Sequence, residues 1–131
     1  MNNRADEDEE REGATVLVAD DDDEFRQVLA EIIALEGWHV WEASDGEEAL
    51  ACASELQPDV LVLDHRMPRL TGVEVVQRLR NTGNRVPVVF VSAAYEVQDL
   101  AVSVGVFCHL RKPFGVDDLI TLMKSALQGK C

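Results

Sequence analysis

The stretch Ala14-Thr15-Val16-Leu17-Val18-Ala19-Asp20-Asp21-Asp22-Asp23 decides the fold. An uncharged, largely apolar run stops abruptly at four carboxylates. A short run of this kind fits a strand covered on both faces, as in a parallel sheet flanked by helices. Acids directly behind it suit the first turn of a helix, where the positive end of the helix dipole favours them. Phe25, Val28, Leu29, Ile32 and Ile33 then recur at helical spacing and predict an inward face, and Gly37 closes that helix.

The alternation continues downstream. Trp38–Ala43 reads as a second strand. Ser44 or Asp45 can cap a second helix that turns Ala49, Leu50, Ala53 and Leu56 inward, and Pro58 breaks it. Val60–Leu63 is a third apolar strand, and Gly72 precedes a helix carrying Val73, Val76 and Leu79. Pro87–Val91 is a fourth strand, with proline at its start, where a missing donor does least harm. Leu100, Ala101 and Val104 mark a fourth helix, Val106–Leu110 a fifth strand and Asp117–Leu127 a fifth helix. Five strands alternating with five helices imply an α/β fold, a parallel sheet with right-handed crossovers and helices on both faces.

Residues 1–13 stand apart. Asp6, Glu7, Asp8, Glu9, Glu10 and Glu12 face only Arg4 and Arg11, so this segment is expected to be a flexible acidic tail, with one domain over 14–131. The 131 residues suit a single domain, and the 47% apolar content suits one core. No run is long enough to span a membrane, and the start lacks the basic and apolar parts of a secretory signal. A cytoplasmic protein is expected. A formal net charge of −13 opposes direct nucleic-acid binding and favours cationic partners, divalent metals included. Cys52, Cys108 and Cys131 are odd in number and widely spaced, which excludes a full disulfide framework and matches no zinc pattern. Reduced thiols are expected.

Ligands of open α/β sheets bind beyond the carboxyl ends of the strands. Asp20 and Asp21 follow the first strand, Asp64 the third and Ser92 the fourth, and Lys112 with Pro113 ends the fifth. Each has an ordinary reading alone. The acids can cap a helix, Asp64 can shape a turn, Ser92 can cap the next helix, and Lys112 can be a surface lysine. Together they make a chemical set. A hard cation such as Mg²⁺ takes carboxylate, water and phosphate oxygens. A carboxylate can attack phosphorus and form an aspartyl phosphate. The transferring group then needs a compact ammonium and a hydroxyl donor around its oxygens.

With these residues in place, the sequence resembles the response-regulator receiver domains of two-component phosphorelays. The resemblance rests on Val16-Leu17-Val18-Ala19-Asp20-Asp21-Asp22, on Val62-Leu63-Asp64-His65-Arg66-Met67-Pro68 with Gly72, on Val88–Ala93, and on Leu110-Arg111-Lys112-Pro113-Phe114. It covers roughly 14 to 128. It implies a doubly wound, flavodoxin-like (βα)5 fold with strand order 2-1-3-4-5. It implies that Asp64 is the phosphoacceptor and that Mg²⁺, or Mn²⁺, is held by Asp20, Asp21, Asp64 and the Arg66 backbone carbonyl. Ser92 would be the switch hydroxyl and Lys112 the charge clamp, with a cis bond to Pro113. The implied partners are a sensor histidine kinase or phosphotransfer protein and a downstream target at the face of the fourth helix, fifth strand and fifth helix. The chain would be a monomer or transient dimer that catalyses its own phosphoryl transfer and slow hydrolysis, tuned by Arg66 and Ala94. Relatives usually carry Tyr or Phe three residues before the lysine, where this chain has His109, so the usual aromatic readout is in question. Phe107 is expected in the core.

Two rival functions are weighed against this one. A phosphatase using Asp20 and Asp22 leaves Asp64 unexplained and lacks room for a cap domain. An interaction module working without phosphorylation is favoured only by His109.

Overall fold

A computed structural model describes residues 13–93 and 95–130. The acidic segment 1–12, Ala94 and Cys131 lie outside the described residues, and so, apart from Gly13, does the expected flexible tail over 1–13.

Among the described residues ten elements alternate strictly: β1 Thr15–Ala19, α1 Asp23–Ala34, β2 His39–Ala43, α2 Gly46–Leu56, β3 Val60–Asp64, α3 Gly72–Asn81, β4 Val88–Ser92, α4 Val97–Ser103, β5 Cys108–Arg111 and α5 Val116–Leu127. The sheet is parallel throughout, in the order β2-β1-β3-β4-β5. This is the flavodoxin-like doubly wound arrangement. The chain order reverses direction between β1 and β3, which opens a crevice at their carboxyl ends.

Alternate residues of a strand point to opposite faces, so each central strand feeds two cores. Leu17, Leu61, Leu63 and Phe90 pack with Ala49, Ala53, Val76 and Leu79 from α2 and α3. Val16, Val18, Val62 and Val91 pack with Leu29, Ile33, Leu119 and Met123 from α1 and α5. Each of the valine, leucine, isoleucine, methionine and phenylalanine side chains among them contributes about 1.5–3 kcal/mol through burial. None of the described helices is long and apolar enough to cross a membrane.

The helix starts are fixed by side chains. Asp22 accepts from the Phe25 amide and Asp45 from the Glu48 amide, and Thr71 and Glu74 form a reciprocal capping box. Asp22, Asp23 and Glu24 are thus acids at the start of α1, as their position behind a strand predicts. Ser92 ends β4 and does not cap α4, whose N-cap is Glu96.

Several expectations of burial fail. Val28 of α1 is 55% exposed and Leu56 of α2 is 39% exposed. Helical spacing fixes a direction but not how wide the covered stripe is, and α1 buries Arg26, Leu29, Ala30 and Ile33 instead. Phe107 is 64% exposed and does not belong to the core. It precedes β5, which begins at Cys108 and is an edge strand with one neighbour. Cys52 is a free thiol, but Cys108 is disulfide-bonded, so the expectation of reduced thiols fails there.

Two glycines hold the connection between β3 and α3 in place. The Gly72 amide donates to the His65 carbonyl at 2.8 Å. A Cβ there would overlap the Asp64 carbonyl oxygen and come within 2.9 Å of both His65 Cα and Phe90 Cζ. A Cβ at Gly46 would overlap Leu70 in the same connection. Gly72→Ala is therefore expected to destabilise the fold by about 2–3 kcal/mol, since backbone and a fully buried ring cannot step aside cheaply. Urea unfolding checks this. A midpoint equal to the parent's would show that the connection yields.

Candidate functional site

The parallel register brings the strand ends together. Ala19 pairs with Leu63, so Asp20 and Asp64 emerge side by side. Asp64 pairs with Val91 and Ser92 with Arg111, which sets Ser92 and Lys112 beside the same crevice. Asp20, Asp64 and Ser92 are all buried, at 1%, 5% and 0% exposure, while Asp21 is exposed.

Lys112 joins the acids. Its Nζ donates to Asp20 Oδ2 at 2.6 Å and lies 3.8 Å from Asp64 Oδ2. The ammonium also sits 4.3 Å from the Phe25 ring centroid, and Phe25 meets Phe114 edge to face. The Lys112 amide donates to the Ser92 carbonyl at 2.8 Å, and the Lys112–Pro113 bond is cis. The other oxygens are occupied as well. Asp64 Oδ1 accepts from the His65 amide and Asp20 Oδ1 from the Asp22 amide, both at 2.9 Å.

Carboxylate oxygens of Asp20, Asp21 and Asp64 all lie within 4.8 Å of one another. Burial pushes the Asp64 carboxyl up from 3.8 to about 6. The Lys112 ammonium opposes that rise, Asp20 and Asp21 add to it by like-charge repulsion, and the His65 amide opposes it. A crowded, all-oxygen donor set of this kind is relieved by a hard divalent cation, so these residues fit Mg²⁺ or Mn²⁺. Arg66, two residues past Asp64, is exposed on the connecting loop.

His109 is not part of the cluster. It is half-buried within β5, opposite Phe90 in the ladder. An aromatic ring also lies on the loop after Ser92. Tyr95 is 82% exposed, with the Arg111 guanidinium 3.7 Å from its ring centroid.

Sequence reasoning passed over Arg26. Its buried guanidinium donates to the Asp20 carbonyl at 2.8 Å and pairs with Asp23 at 2.7 Å and Glu42 at 3.0 Å. It ties the acidic loop to α1 and to β2. The available signal was an arginine three residues after Asp23, the sole basic residue of α1. His65 follows Asp64 directly on the loop after β3. Its ring packs 6.0 Å from Phe90, and its carbonyl accepts the Gly72 and Met67 amides, so it braces the loop behind Asp64.

Comparison with known proteins places this geometry. The family model described as "Response regulator receiver domain" matches residues 16–124. The regulatory protein AtoC of Escherichia coli is 34% identical over 115 residues, 86% of this chain and 25% of that protein. The response regulator MprA of Mycobacterium avium is 37% identical over 115 residues, 86% of this chain and 50% of its own length. The chain thus spans a quarter to a half of these curated relatives. Among solved structures, the Francisella response regulator 1452 receiver domain superposes with a TM-score of 0.83 at 31% identity, covering 91% of this chain and all of that one. The Vibrio cholerae chemotaxis protein CheY4 gives 0.79 at 30% identity, covering 87% and 98%. Residues 16–124, with the acids, serine and lysine of one crevice, therefore belong to the response regulator receiver domain family of two-component signalling.

Proposed function

We propose that the chain is a phospho-accepting receiver and that Asp64 is its nucleophile. The observation that carries this reading is the Lys112 ammonium, held between the buried carboxylates of Asp20 and Asp64. Asp64 Oδ2 attacks the phosphorus of a phosphohistidine presented by a sensor histidine kinase or phosphotransfer protein. The O–P bond forms as the P–N bond breaks, and the histidine leaves with its electron pair. Lys112 is placed to offset charge on the transferred group, and Ser92 stands at the neighbouring strand end as a hydroxyl donor. Asp20, Asp21, Asp64 and the Arg66 carbonyl are the groups to hold Mg²⁺ or Mn²⁺. When bound, the ion supplies charge neutralisation and orientation.

The phosphorylated state is read by a downstream protein at the face of α4, β5 and α5, with Ser92 and His109 as switch positions. Attack of water on the acyl phosphate then resets Asp64, at a rate tuned from positions 66 and 94. The acidic surface favours protein partners over nucleic acid. A cytoplasmic chain, monomeric or transiently dimeric, with an acidic tail over 1–13 and the receiver over 14–131, completes the reading.

Intact mass spectrometry tests it. With Mg²⁺ and acetyl phosphate, one phosphoryl group should add per chain, and chelation should prevent it. No adduct in either condition would leave an interaction module working without phosphorylation, and turnover of many phosphoesters would point to a hydrolase.

The metal should also report the Asp64 proton. Metal ligands must be deprotonated. Apparent Mg²⁺ affinity should rise about tenfold per pH unit below the Asp64 value near 6, then level off above it. Titration followed by intrinsic tryptophan fluorescence measures this. An affinity flat between pH 5 and 7 would exclude Asp64 as a ligand.

A further inference from the structure

The opposite edge of the sheet, at the amino ends of the strands, carries a feature unrelated to the phosphoacceptor. Arg80 lies in the last turn of α3, and Arg85 in the loop before β4. Both line a hollow of about 210 Å³, together with Pro87, Val106, Phe107 and Gly129. Arg80 is half-buried, and its Nη1 donates to the Asn84 and Val86 carbonyls at 3.1 and 2.9 Å. That bond pair ties the end of α3 to the loop before β4 and fixes the guanidinium. None of its other N–H groups has a partner among the described residues, and Arg85 has none either.

The charge arrangement is unusual for this chain. Acids outnumber bases 25 to 12, yet neither arginine has a carboxylate within ion-pair distance among the described residues. Instead both cations line the same hollow, and burial and then Arg85 disfavour the charge on Arg80. Paired guanidiniums with free forks match the planar, bidentate geometry of phosphate and carboxylate. The wall beside them is apolar. Phe107, 64% exposed, offers a ring that the core does not use, flanked by Pro87 and Val106.

We propose that this hollow is a binding site for a small organic anion, its phosphate or carboxylate head held by Arg80 and Arg85 and a flat apolar portion packed on Phe107. The site lies across the sheet from Asp64 and does not depend on phosphorylation there.

The test is a ¹⁵N NMR titration of the full chain in EDTA, which keeps metal from the acidic crevice. The probes are phenyl phosphate, benzoate and inorganic phosphate. Saturable shifts are expected at the Arg80 and Arg85 side-chain N–H groups and at the Val106 and Phe107 amides. Phenyl phosphate outbinding benzoate would assign a phosphate head, and the reverse a carboxylate. Arg85→Gln, on an exposed loop residue, should weaken binding at least fivefold without changing the fold. Phe107→Ala should remove the advantage of phenyl phosphate over inorganic phosphate. No saturable shift with any probe, shifts indifferent to Arg85→Gln, or equal binding of phenyl and inorganic phosphate would overturn the proposal.

Discussion

Asp64→Asn is expected to abolish the phosphoryl adduct and, at the same time, to stabilise the metal-free chain at pH 7.5. The first effect follows from the loss of the nucleophilic oxygen. The second follows from burial. The Asp64 carboxyl titrates at about 6 in the folded chain against an ordinary 3.8. A raised value means that the folded state holds the proton more tightly. The associated stability is fully present below 3.8, declines between 3.8 and 6, and is absent above 6. At pH 7.5 the folded chain therefore carries the cost of an ionised carboxylate among Asp20 and Asp21, on the order of 2–3 kcal/mol. Asparagine is nearly the same shape and stays neutral, so it removes that cost. The variant should exceed its parent by roughly 2 kcal/mol at pH 7.5 in EDTA, and the two should converge near pH 3.5. Urea unfolding at both pH values, beside the mass measurement, separates the two claims. A surviving adduct would remove Asp64 as acceptor. A variant less stable than the parent at pH 7.5 would show that crowding does not strain the site.

Much of this site is legible in the sequence, and particular residues show why. Strand ends are marked where an apolar run meets a polar residue. Asp20, Asp64 and Ser92 are such points, and a parallel sheet gathers every carboxyl end on one edge. The pairing of Lys112 with Asp20 needs no more than that topology. Burial across a helix is harder. Val28 and Leu29 are adjacent and equally apolar, yet only Leu29 is covered, because the stripe's width depends on what α1 packs against. Arg26 is harder still. Its burial is tolerable only because Asp23, Glu42 and the Asp20 carbonyl surround it, and Glu42 lies 16 residues away on another strand. Phe107 misled for the opposite reason, since aromatic residues favour cores but an edge strand leaves its approach uncovered. The spatial gap at Gly72 is also invisible in one dimension, because the Phe90 ring that fills it comes from β4.

Lys112→Ala should slow adduct formation by about 10²–10³-fold, the cost typical of removing a preorganised donor from developing charge. The ammonium is 19% exposed and touches two carboxylates that are nearly sealed from water, so solvent replaces it poorly. Its removal should also leave those acids with less compensation. Lys112 opposes the rise of the Asp64 carboxyl, so the variant's Asp64 should titrate above 6 and accept phosphate over a narrower, more alkaline range. Stability at pH 7.5 should fall by roughly 2 kcal/mol, and the loss should shrink as pH falls and Asp64 protonates. A simple folding defect would make the same loss at every pH. A second background makes the argument sharper. In Asp64→Asn one of the two carboxylates is already neutral, so Lys112→Ala should cost less there than in the parent, and the difference measures the direct coupling of Lys112 to Asp64. Equal costs in both backgrounds would mean that Lys112 serves Asp20 alone. Its distance of 3.8 Å from the proposed nucleophile would then carry no energy, and the case for Asp64 would have to rest on the metal ligands.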